Sequence, residues 1–107
     1  MNDKERWDLL LRTSTIIGGR NRVSILSRLF LKDETLSFNQ LKRDIGLSSM
    51  SLSRDLKLLE SAQIIERTVV NMRPPKVNYK LSPKGKDLFE VFSQLENWGT
   101  KHLDKSN

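Results

Sequence analysis

Apolar residues recur every three or four positions along most of the chain, and every second position in one stretch. Residues 3–16 predict a helix whose Trp7, Leu10 and Leu11 share a face. Gly18-Gly19 breaks it, and residues 20–32 predict a second helix with Val23, Leu26, Leu29 and Phe30 on one side. Lys32-Asp33-Glu34 is a polar connection. Ser37, followed by Gln40, has the pattern of a capping box and opens a short third helix striped by Phe38, Leu41 and Ile45. Gly46 ends it, as a residue that tolerates positive φ. Ser48 or Ser49 then caps a fourth helix running to about Ala62. At roughly 100° per residue, Leu52, Leu56 and Leu59 fall within about 60° of arc. Met50, Arg54 and Lys57 lie opposite, flanked by Ser51 and Ser53.

After Gln63 the period falls to two. Ile64–Val70 is rich in β-branched residues and predicts a strand. Val77, Tyr79 and Leu81 alternate with Asn78, Lys80 and Ser82, which predicts a second. Between them, Asn71–Lys76 contains Pro74-Pro75, expected to stiffen the loop and prevent regular pairing. Pro83 suits the first turn of a last helix, reaching to about residue 104 and striped by Leu88, Val91, Phe92 and Leu95. The fold class is mainly α with a small β-hairpin (α+β). With no repeat, low-complexity tract or linker, the 107 residues are expected to form one domain.

Two helices joined by a tight turn, with a hairpin directly after, make a winged helix-turn-helix. Such a helix fits the DNA major groove, and small polar residues let it approach base edges closely. The recognition helix is then expected at about 48–62 and the wing at about 64–82. Ser49, Ser51 and Ser53 can hydrogen-bond to bases or phosphates, Met50 can meet a thymine methyl, and Arg54 can donate bidentately to guanine O6 and N7. Lys57, a turn further on, meets the backbone. Arg73 and Lys76 flank the hairpin tip and can reach phosphate or a minor groove. Lys84 and Lys86 read as the solvated first turn of the last helix.

Charge supports a polyanionic partner. The chain carries 19 basic and 13 acidic residues, a net +6. Arg67–Lys86 holds six basic residues and no acidic one, whereas the other 87 residues hold 13 of each sign. No apolar run exceeds three residues, against about 20 for a membrane-spanning helix, so no membrane partner is expected. The start MNDKERWDLL lacks the apolar centre of a secretory signal, so a cytoplasmic location is expected. There is no cysteine, which removes disulfides, thiolate metal sites and thiol chemistry. One histidine, His102, and scattered carboxylates supply neither a metal cluster nor an acid–base pair. Neither an enzyme nor a cofactor is expected.

The last helix carries surplus apolar surface. Leu88, Val91, Phe92 and Leu95 can face the core, yet Phe89, Trp98 and Leu103 remain. A two-fold interface is expected to involve Trp7, Leu10, Leu11, Phe89, Phe92, Leu95 and Trp98; alternatively the terminal helices simply close the monomer core. A homodimer would space two recognition helices by roughly 34 Å and suit a pseudo-palindromic operator. Two other readings stay open: a winged-helix protein–protein adaptor, and an architectural protein that binds DNA without sequence preference. A small-molecule effector could occupy space between the terminal helices and the core, but no residue identifies one.

Several blocks together resemble the HxlR-type transcriptional regulators, a winged-helix group related to MarR-like proteins. They are Ile17-Gly18-Gly19; Phe38-Asn39-Gln40-Leu41-Lys42-Arg43; Ser48 with Leu52-Ser53, Leu56 and Leu59-Glu60; Glu66-Arg67; the run Pro74 to Gly85; and Trp98-Gly99. The resemblance covers about Ile17 to Gly99. It implies a homodimer on operator DNA, joined through its terminal helices, with a recognition helix at Ser48–Gln63 and a wing at Asn71–Lys76. The chain departs from the family pattern in three places. It lacks the regulatory cysteine of many relatives. Arg20-Asn21 replaces the usual Lys-Trp, and Gln63 replaces the usual glycine after the recognition helix.

Overall fold

The computed structural model describes residues 1–32 and 35–103. Helices α1 (Asp3–Ile17) and α2 (Arg20–Lys32) lead into a short strand β1 (Leu36–Ser37), then α3 (Phe38–Ile45) and α4 (Ser49–Ser61). Strands β2 (Ile65–Met72) and β3 (Pro75–Leu81) follow, then α5 (Pro83–Lys86) and α6 (Leu88–His102). The Asp33-Glu34 connection lies outside the described residues, as does the expected helix end at residue 104.

Local chemistry sets these boundaries. The Ser37 hydroxyl accepts from the Gln40 amide at 3.1 Å while Gln40 Oε1 accepts from the Ser37 amide at 2.8 Å, a reciprocal cap. Gly46 closes α3 at φ 78°, where a side chain would be strained. Ser48, rather than Ser49, caps α4 by accepting from the Ser51 amide. Ser82 caps α5, with Pro83 in the first turn.

The core is one cluster. Ile25, Leu26 and Leu29 of α2 meet Leu41 of α3 and Leu52, Leu56 and Leu59 of α4, over Ile64, Ile65, Tyr79 and Leu81 from the sheet side. Val23, expected inward, is 38% exposed; α2 buries Ile25 instead, because the face that meets α3 and α4 is centred between positions 25, 26 and 29. Helix α6 docks through Leu88 and Phe92, and Phe30 makes edge-to-face contacts with Phe89 and Phe92 at 5.6 and 5.3 Å.

Four expectations are corrected. The sheet has three strands in the order β1-β3-β2, all antiparallel, with Leu36 opposite Tyr79. The hairpin pairs almost to its tip: Asn71 faces Lys76 and Met72 faces Pro75, leaving Arg73 and Pro74 as the turn. Pro75 is tolerated because it is the first residue of β3, where a missing amide costs little. The last helix is not continuous, since a turn at Asp87 separates α5 from α6. Val91 and Leu95 of α6, expected in the core, are exposed.

Candidate nucleic-acid interface

Helix α4 has two opposed faces. Leu52, Leu56 and Leu59 are fully buried, which fixes the helix on the core and turns Ser49, Met50, Ser53, Arg54 and Lys57 outward. Ser51, half-buried, borders that surface and is tied to the Ser48 cap. Met50 is 81% exposed, more than any other large apolar side chain described. Met50 is thus a large apolar group left in water near the start of α4, beside small polar residues.

A polar network locks α4 in orientation. Asp55 is buried on the side of α4 that meets α2. Arg22 Nη1 donates to Asp55 Oδ1 at 3.0 Å, and Asn21 Nδ2 donates to Oδ2 at 3.2 Å. Arg22 Nη2 also donates to the Thr15 carbonyl at 3.1 Å. One carboxylate thus joins the α1–α2 corner to the middle of α4. A second ion pair, Arg28 to Asp44 at 2.8 Å, joins α2 to α3.

The basic stretch is more differentiated than its composition. Lys84 is not merely solvated: its ammonium donates to the Ala62 carbonyl at 2.9 Å, satisfying the C-terminal end of α4. Lys80 stands 3.7 Å from Glu66, its cross-strand neighbour. Arg67 lies opposite Tyr79; burial pushes the Tyr79 phenol above its ordinary pKa, while a hydrogen bond with Arg67 pulls the other way. Arg73 and Lys76 are exposed at the hairpin tip and make no ion pair among the described residues. A register shift between Val69 and Asn71 bends β2 just before the tip.

Residues expected at a subunit interface lie on α1 and α6. Trp7, Leu10, Leu11, Phe89, Leu95 and Trp98 are all more than half exposed, and Phe92 is half-buried against Phe30. Trp98 packs against His102 with ring centres 5.0 Å apart and ring planes tilted by 43°. The apolar pattern of the sequence does not predict the Arg22–Asn21–Asp55 network. Its signal was present, since positions 52, 55, 56 and 59 form one helical stripe and an acid there must find a buried partner.

A two-helix unit with one helix face free, followed by a two-stranded hairpin with a basic tip, defines a winged helix-turn-helix regulator that binds DNA. The chain belongs to the HxlR-like helix-turn-helix family, which it matches over residues 16–107. It is 35% identical over 91 residues to an uncharacterised helix-turn-helix-type transcriptional regulator of Halalkalibacterium halodurans, covering 84% of this chain and 80% of that protein. It is 31% identical over 105 residues to the uncharacterised regulator YtcD of Bacillus subtilis, covering 96% and 82%. A crystal structure of a YtcD regulator superposes with a TM-score of 0.80 at 33% identity, over 89% of this chain and 96% of that one. The redox regulator HypR in its reduced form also gives 0.80, at 28% identity, over 89% and 93%.

Proposed function

We propose that the chain is one winged-helix unit acting as a homodimer on a pseudo-palindromic operator. In this reading α4 enters the major groove, with Ser49, Met50, Ser51, Ser53, Arg54 and Lys57 toward the DNA. Arg73 and Lys76 of the wing meet the flanking backbone or minor groove. The observation that carries it is the outward face of α4, where Met50 is exposed near the helix start and hydroxyls and cations follow it. A cytoplasmic location belongs to the same reading, because the operator is reached there.

The dimer reading rests on α1 and α6, neither of which has a buried residue. A 15-residue helix is marginal in water without a packing partner, and α1 leaves Trp7, Leu10 and Leu11 exposed. The radius of gyration, 15.4 Å, exceeds the roughly 13 Å of a compact chain of this length. A second copy covering Trp7, Leu10, Leu11, Phe89, Phe92, Leu95 and Trp98 would bury that surface.

The test is selection of genomic fragments by the purified protein against excess random DNA. Fragments sharing an inverted repeat are expected. Retention without a shared motif would instead mean architectural binding. No retention even at low salt would point to a protein partner.

A further inference from the structure

We propose that Arg20 and Arg54 together hold one backbone phosphate of the bound duplex. The inference rests on the DNA-binding reading above and adds a contact from α2, outside the helix-turn-helix, to one from α4. An open cleft of about 410 Å³ separates the start of α2 from α4 and is lined by Gly19, Arg20, Asn21, Arg22, Arg54 and Asp55. Every side chain in that lining is polar, and three of them are arginines against one carboxylate. The carboxylate is fully used: Asp55 Oδ1 takes Arg22 and Oδ2 takes Asn21. Arg22 is in turn committed to Asp55 and the Thr15 carbonyl. Two guanidinium groups remain, Arg20 on one wall and Arg54 on the other, and neither makes an ion pair among the described residues.

Two unmatched, fork-shaped donors on opposite walls of a polar cleft suit a tetrahedral oxyanion. Arg54 also belongs to the outward face of α4, so a duplex lying on that face passes the mouth of the cleft. The pairing gives Arg54 a role different from the base contact its position suggests. Directed at phosphate, it positions α4 and carries no sequence information.

The experiment measures binding of the full chain to a selected genomic fragment and to random duplex across a salt series. Arg20→Ala and Arg54→Ala are each expected to weaken both duplexes by about tenfold, the loss of one charge-assisted contact. Each should lower the salt slope by about one. The double variant should lose little more than either single one, because the two share a ligand. Arg20→Lys should retain part of the binding. Unchanged thermal midpoints would show that these exposed sites leave the fold intact. Wild-type binding by Arg20→Ala overturns the proposal, as does an Arg54→Ala loss confined to one base-pair position. Failure of the unmodified chain to bind any duplex would overturn the DNA reading itself, and this contact with it. A second arm titrates inorganic phosphate at constant ionic strength. Saturable binding that needs Arg20, with DNA affinity unchanged by Arg20→Ala, would assign the cleft to a free phosphate ligand instead of a duplex.

Discussion

Arg22 on α2 and Asp55 on α4 meet at 3.0 Å, with only 6% of the Asp55 side chain and 22% of the Arg22 side chain exposed. Removing one member of a buried pair leaves the other charge desolvated without compensation. Asp55→Ala is therefore expected to cost about 3 kcal/mol, read as a lower urea midpoint. Replacing both, as Arg22→Met with Asp55→Leu, should recover most of that loss, because the stranded charge is gone. A single Asp55→Ala variant as stable as the parent would show that water already compensates the pair.

That pair also marks where sequence reading stopped. The α4 stripe was legible through Leu52, Leu56 and Leu59, and all three are buried. Asp55 sits on the same side but is acidic, so an apolar search passes over it. The capping box at Ser37 and the stop at Gly46 were legible because each is a local hydrogen-bond or backbone requirement. Strand β1 was not, since two residues cannot display an alternation and Leu36 acquires its role only by pairing with Tyr79. Likewise Lys84 looked like solvated charge because its acceptor, the Ala62 carbonyl, lies 22 residues away in sequence. The outward placement of the α4 residues and of the two wing cations was readable from helical periodicity and element order. The Arg20–Arg54 cleft needed the tertiary approach of α2 to α4.

Gln63 follows α4 and adopts φ 62°. A non-glycine residue in the left-handed region carries a strain of about 1 kcal/mol or more. Gln63→Gly relieves that strain but gives the unfolded chain more freedom. The expected net effect is a gain of about 0.5 kcal/mol, seen as a higher urea midpoint with an unchanged slope. A lower midpoint would mean that the Gln63 side chain contributes more than its backbone costs.

Ser82 and Gly85 fasten the end of β3 beneath the α4–β2 corner. The Ser82 hydroxyl lies 2.6 Å from the Gln63 carbonyl and 3.0 Å from that of Ile64, and it accepts from the Gly85 amide at 2.9 Å. A Cβ on Gly85 would collide with the Ile64 carbonyl, a backbone atom that cannot swing aside. Gly85→Ala is expected to cost about 2 kcal/mol, and Ser82→Ala about 1 kcal/mol through the lost cap. Thermal unfolding checks both, and a Gly85→Ala midpoint equal to the parent's would show that the corner can open without strain.

Trp98 and Leu10 test subunit association. Both are well exposed in the isolated chain, 59% and 70%, so a polar substitution should leave the monomer fold intact. Trp98→Ser and Leu10→Ser together are expected to shift sedimentation from dimer to monomer and to weaken operator binding. Half-operator binding should change far less, because each half-site is read by one subunit. A double variant that sediments as the parent does would move the interface elsewhere.

Met50 and Lys76 separate reading from positioning. Met50 is an exposed apolar group on α4, which the proposed docking turns toward a base edge. Met50→Ala should therefore reduce preference at one thymine-bearing position by about 1 kcal/mol, leaving affinity for random DNA nearly unchanged. Lys76 is an exposed cation beside the hairpin tip, suited to phosphate. Lys76→Ala should weaken all duplexes by a similar factor and lower the salt slope by about one. The check is a binding series on single-base variants of the selected operator at two salt concentrations. Equal losses for the two variants on operator and random DNA alike would remove the distinction and leave α4 as a backbone contact without base readout.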